Sequence, residues 1–123
     1  MATCTERVQA SYDDRMVDLR LLWAAWCDGQ EEVEDLGSIF EYGLCFDWVE
    51  PSTFEDQPEG YYRYQLSWGG PSDEFRFYPQ YWCIEYWFLD WFDGAKLTPS
   101  KDDQNLLLEI YNWFAELGMC DEH

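Results

Sequence analysis

Residues 61–78 read YYRYQLSWGGPSDEFRFY, and this stretch decides the fold class. Tyr62, Tyr64, Leu66 and Trp68 alternate with Tyr61, Arg63, Gln65 and Ser67, the period of two expected of a strand with one buried face. The run Trp68-Gly69-Gly70-Pro71-Ser72-Asp73 breaks that alternation with turn residues, so strands at Tyr61–Trp68 and Glu74–Tyr78 are expected to form a hairpin. Two further strands are expected, Cys45–Val49 before the hairpin and Tyr81–Leu89 after it. Pro51 to Gly60, PSTFEDQPEG, reads as a polar loop.

Helical patterns flank this sheet. In Arg15–Cys27, Met16, Leu19, Leu22, Trp23 and Trp26 recur at three- and four-residue spacing, and Asp28-Gly29 is a stop signal. A second helix is expected from Glu31 to Tyr42, with Val33, Leu36, Ile39 and Phe40 inward and acids in its first turn, where the helix dipole favours them. A closing helix is expected over Lys101–Leu117, with Ser100 as N-cap and Gly118 after its end. The pattern is α+β: two N-terminal helices, an antiparallel sheet of three to four strands and a C-terminal helix. With 123 residues and no repeat or low-complexity linker, residues 1–123 are read as a single domain.

The chain carries 26 acids against seven bases and one histidine, a net charge of −19. It is nevertheless 47% hydrophobic and 20% aromatic, a core-forming inventory that acidic disordered chains lack. So few bases exclude direct binding to nucleic acid through phosphates, and equally to anionic membrane surfaces. No uncharged run exceeds the nine residues Tyr64–Ser72, too short for a transmembrane helix. MATCTERVQASYDDR has no apolar core of a signal peptide. Cys4, Cys27, Cys45, Cys83 and Cys120 are odd in number and lack paired spacing, which reads as reduced thiols in a cytoplasm.

The charge is unevenly distributed. Between Arg20 and Arg63 lie 42 residues without a base and with eleven acids: Asp28, Glu31, Glu32, Glu34, Asp35, Glu41, Asp47, Glu50, Glu55, Asp56 and Glu59. A second base-free interval follows Lys101. Carboxylates at helix or strand spacing stand about 5–7 Å apart, close enough to line up as phosphates do along a strand. Such a surface suits a Lys/Arg groove built for nucleic acid, with release of counterions on binding. The eleven acids, with Asp73 and Glu74, are therefore the candidate partner-binding residues.

On this charge pattern the chain resembles the DNA-mimic inhibitors of phages and mobile elements, the anti-restriction and anti-CRISPR proteins. The resemblance is one of composition over the whole chain. It implies occlusion of the basic nucleic-acid groove of a host defence complex. The hairpin stretch also resembles small proteins carried on mobile elements. Two other readings stand beside it. An immunity or antitoxin-like protein that neutralises a basic nuclease would use the same steering. Alternatively, the acid runs are solvated faces that confer solubility alone.

Ten of the eighteen residues Phe75–Phe92 are aromatic, more than one sheet face and one helix readily bury. Core with a hydrophobic rim is the expectation, and an interface, such as a homodimer through this aromatic sheet, is the alternative. Signals for catalysis are weak. Asp90 and Asp93 in LDWFDG have the residue types of a glycosidase pair but no defined cleft. His123 is the sole histidine, no cysteine pair has zinc spacing and no calcium loop occurs, so neither metal nor other cofactor is expected. The chain reads as a binding protein and not an enzyme.

Overall fold

The computed structural model describes residues 4–30, 32–33, 36–38, 42–43, 45–53, 59–67, 72–79, 83–90 and 93–116. Helix α1, Cys4–Cys27, is longer than its strongest sequence pattern. Val8, Tyr12, Met16, Leu19 and Leu22 form its buried stripe. Its C-terminus is closed by Gly29 at φ 86°, with Gln30 N donating to Ala25 O at 2.8 Å and Gly29 N to Trp26 O at 3.1 Å. This paired closure satisfies carbonyls that the helix end leaves open.

Among the described residues, the second N-terminal helix expected from Glu31 is interrupted at Val33–Gly37. Val33 and Gly37 make an isolated antiparallel bridge, with Val33 N to Gly37 O at 2.8 Å and Gly37 N to Val33 O at 3.0 Å. Gly37 sits at φ 80°, outside helical space. The acids of this segment also fall at i,i+3 and i,i+4 spacing, where like charges oppose a helix. Tyr42 N donates to Ser38 O at 3.0 Å. Glu31, Glu34, Asp35, Ile39, Phe40 and Glu41 lie outside the described residues.

The sheet has five strands where three to four were expected: β1 Cys45–Val49, β2 Tyr61–Ser67, β3 Ser72–Tyr78, β4 Cys83–Asp90 and β5 Asp93–Leu97. They pair antiparallel in sequence order. The added strand, DGAKL, has only the short alternation Ala95-Lys96-Leu97 and is held by its pairing with β4, Tyr86 opposite Leu97 and Phe88 opposite Ala95.

Register places most of the described aromatic residues of the sheet in rows on one face. Trp48, Tyr62, Phe77 and Ile84 are cross-strand neighbours, as are Phe46, Tyr64, Phe75, Tyr86 and Leu97. Helix α2, Lys101–Glu116, begins at the expected cap, Asp103 N donating to Ser100 Oγ at 3.3 Å. It joins α1 over this face. Phe114 packs on Phe46 at 4.9 Å, Tyr111 stacks on Phe77 at 5.1 Å and Tyr12 meets Tyr86 edge-on at 5.6 Å. Phe75, Phe77, Tyr86 and Phe88 are thus core residues under two helices. This aromatic row is therefore interior to the monomer. Tyr81, Trp82, Trp91 and Phe92 lie outside the described residues.

α1 and α2 run side by side in the same direction. Asp103 meets Tyr12 and Arg20, Glu109 meets Trp23, and Trp113 packs on Trp23 and Trp26.

Candidate interaction surface

Six of the seven bases are bound to an acid within the fold. Three pairs tie α1 to other elements: Arg7–Asp90 to β4, Arg15–Asp73 to β3 and Arg20–Asp103 to α2. Three lie on the sheet face away from the helices: Arg63–Asp47, Arg76–Glu74 and Lys96–Glu85. Aromatic faces hold several of these cations as well. The Arg76 guanidinium is 4.0 Å from the Trp87 centroid and 4.6 Å from that of Tyr61, and Arg7 is 4.9 Å from that of Phe88. Lys101 is exposed and is the one base without an ion pair among the described residues.

The Arg15–Asp73 pair is the centre of a buried polar network. A β-bulge between Gln65 and Ser67 changes the register so that Ser67, not Leu66, is opposite Asp73. Ser67 and Asp73 then share the helix-facing side. The Asp73 carboxylate accepts from Arg15 Nε at 2.7 Å, Arg15 Nη2 at 3.0 Å, the Tyr86 hydroxyl at 2.6 Å and the Ser67 hydroxyl. Arg15 also donates to the Tyr42 hydroxyl at 3.0 Å, and Tyr42 donates to Asp18 at 2.7 Å. Burial opposes the charge on Asp73, but the bonds from Arg15, Ser67 and Tyr86 outweigh it and hold the carboxyl below its ordinary value. Burial raises Tyr42 to about 12 and also raises Tyr86, whose bond to Asp73 adds to the shift.

These placements sort the candidate acids. Asp28, Glu32 and Glu50 are exposed, and Glu59 is half-buried. Asp47 is half-buried and bound bidentately by Arg63, at 2.8 and 3.1 Å. Asp73 and Glu74 are only 2% and 4% exposed and are held by arginines, which removes them from the surface a partner would meet. Their strand alternates apolar and charged residues, and the period of two does not reveal that both faces are covered. Glu31, Glu34, Asp35, Glu41, Glu55 and Asp56 lie outside the described residues. Asp90 of the LDWFDG pair is bound by Arg7.

The structure adds acids that the sequence reading left out of the candidate set. Glu6, Asp13 and Asp14 on α1 are exposed, as are Asp102, Glu109 and Glu116 on α2. The helix layer therefore turns carboxylates outward along both helices. In the sequence, Arg7, Arg15 and Arg20 are interleaved with the α1 acids and make this segment look balanced. Their side chains instead reach Asp90, Asp73 and Asp103. The available signal was the helical wheel, which sets Asp13 and Asp14 away from the Tyr12–Met16–Leu19 stripe.

Two large apolar side chains share that outer face, Val17 at 56% and Leu21 at 52% exposure. Among the described residues, no cluster of three His, Cys, Asp or Glu side chains could hold a metal ion. No described helix is long and apolar enough to cross a membrane. Comparison with protein-family models, curated proteins and solved structures finds no match to this chain.

Proposed function

We propose that this protein works by binding: it presents carboxylates to a Lys/Arg groove that normally holds nucleic acid, and so inhibits the protein or complex that owns the groove. The observation that carries this reading is the internal commitment of the bases. Six of them are paired with six acids among the described residues, so in the count of charges twenty acids are left against Lys101, which is the net −19. A surface that merely needed solubility is served by mixed signs, which also relieve repulsion between neighbouring carboxylates. This fold instead pairs its cations internally, although Arg20 and Lys96 stay exposed beside their acids. The result is a strong excess of negative charge with little free positive charge, which steers a cationic partner and repels nucleic acid itself.

The test is capture of partners from a nuclease-treated lysate of the natural host, with elution first by a salt gradient and then by added DNA. The expected partner is a nucleic-acid-binding protein, released at moderate salt and by DNA. Charge reversal then maps the surface. One variant set reverses Glu31, Glu32, Glu34 and Asp35; the other reverses Asp13, Asp14 and Asp28. Loss of capture by a folded variant of either set locates the contact. Full retention by both sets, or a partner indifferent to salt and DNA, makes the charge a solubility device and refutes the reading.

A further inference from the structure

We infer that the outer stripe of α1 is a docking site whose occupant is a basic amphipathic helix of a protein partner. Val17, Leu21 and Ala24 follow one another at i, i+4 and i+7, and all three are exposed. They form a continuous apolar strip rather than isolated surface side chains. Acids close the strip at both ends, Asp13 and Asp14 before it and Asp28 after it. From residue 13 to 28 the distance is about 22 Å at the helical rise, the length of a partner helix of about 15 residues.

The flanks agree with the ends. Glu109 of α2 is exposed on the side of α1 that packs against α2, accepting from Trp23 Nε1 at 3.1 Å. On the other side Asp18 accepts from Tyr42. Arg20, the one cation bordering the strip, is bound to Asp103. Charge complementarity therefore selects the occupant. A second copy of this chain, at −19, would bring acid against acid. A nucleic acid offers neither cations nor aliphatic side chains. A helix with leucine-like residues on one stripe and Lys/Arg on its borders matches both parts. The strip would supply the desolvated centre of the contact and the acids its polar rim. This inference rests on the proposed function only in requiring a cationic partner.

The test titrates the isotope-labelled full chain with two probes, followed by amide shifts and calorimetry. One probe is a leucine/lysine peptide of about 15 residues patterned as an amphipathic helix; the other is an oligolysine of equal charge. Both are expected to bind at low salt. At about 1 M NaCl, where the Debye length is near 3 Å, only the amphipathic peptide is expected to stay bound, with shifts concentrated on residues 13–28. The double variant Val17→Asn/Leu21→Asn replaces side chains that are already half in water, so the fold is retained. It should weaken the amphipathic peptide on the order of tenfold and leave oligolysine unchanged. Equal salt loss of both peptides, or a double variant that binds the amphipathic peptide as wild type does, overturns the docking site while the acidic surface stands. Failure of oligolysine to bind at low salt overturns the acidic-surface reading instead, and failure of both probes overturns both.

Discussion

Asp73→Asn removes the charge at the centre of the buried network while keeping its shape. The asparagine retains an acceptor for Tyr86 but leaves the Arg15 guanidinium without its counter-ion. Removing one member of a buried pair costs about 3–5 kcal/mol. The Arg15 side chain is 24% exposed, so water compensates in part and the lower end, about 3 kcal/mol, is expected. For a chain of 123 residues this lowers Tm by about 12 °C, at about 4 °C per kcal/mol. Urea unfolding at neutral pH, followed by tryptophan fluorescence, measures the effect in Asp73→Asn, Arg15→Met and the double variant. The double variant should recover at least about 1 kcal/mol relative to additivity. The pH dependence has a definite sign. The folded Asp73 carboxyl lies below its ordinary 3.8, so its contribution is complete above that value and is lost as pH falls through the lower folded-state value. The gap between wild type and Asp73→Asn should therefore be constant near neutrality and close below about pH 4. A variant within about 0.5 kcal/mol of wild type at neutral pH would refute the assignment of this pair as the centre of a stabilising buried network.

Further outcomes follow from the same contacts. Asp103→Ala should destabilise by about 1–3 kcal/mol because it leaves the buried Tyr12 hydroxyl without its acceptor; Arg20→Ala, on a side chain 54% exposed, should cost under about 1 kcal/mol, and thermal melts compare the two. Gly43→Ala would place a methyl 2.2 Å from Tyr64 Cε1, in a ring that is buried and cannot swing away, so a loss of about 1–3 kcal/mol is expected in urea. Gly29→Ala meets nothing within 4 Å and should cost only the left-handed backbone, about 1 kcal/mol. Added NaCl should raise the wild-type midpoint, because screening relieves repulsion among acids that have no internal cation; calorimetry from low salt to about 0.5 M reads this directly.

The fold was legible where periodicity was strong. The 61–78 hairpin, the Cys45–Val49 strand and the closing helix stand where the alternation and the Ser100 cap predict them. The fifth strand was not legible, because DGAKL belongs to the sheet through its partner β4 and not through its own pattern. The helix expected from Glu31 rested on apolar spacing, but Gly37 at positive φ favours the Val33–Gly37 bridge. The aromatic surplus suggested a sticky sheet face because one covering helix was counted, whereas α1 and α2 both cover it. For the interaction surface, the sequence shows the amount of charge but not its direction. Arg15 and Arg20 neutralise residues far along the chain, Asp73 and Asp103, and only the tertiary structure shows that the adjacent Asp13 and Asp14 keep their charge for the exterior.

Competition at equilibrium tests the central claim most directly. Labelled DNA is bound to the captured partner, and the protein is titrated in while DNA release and protein binding are followed together. The account predicts that each bound protein displaces the DNA, that excess DNA restores it, and that the apparent affinity falls steeply with salt. A ternary complex in which the DNA remains bound, with an affinity insensitive to salt, would contradict it.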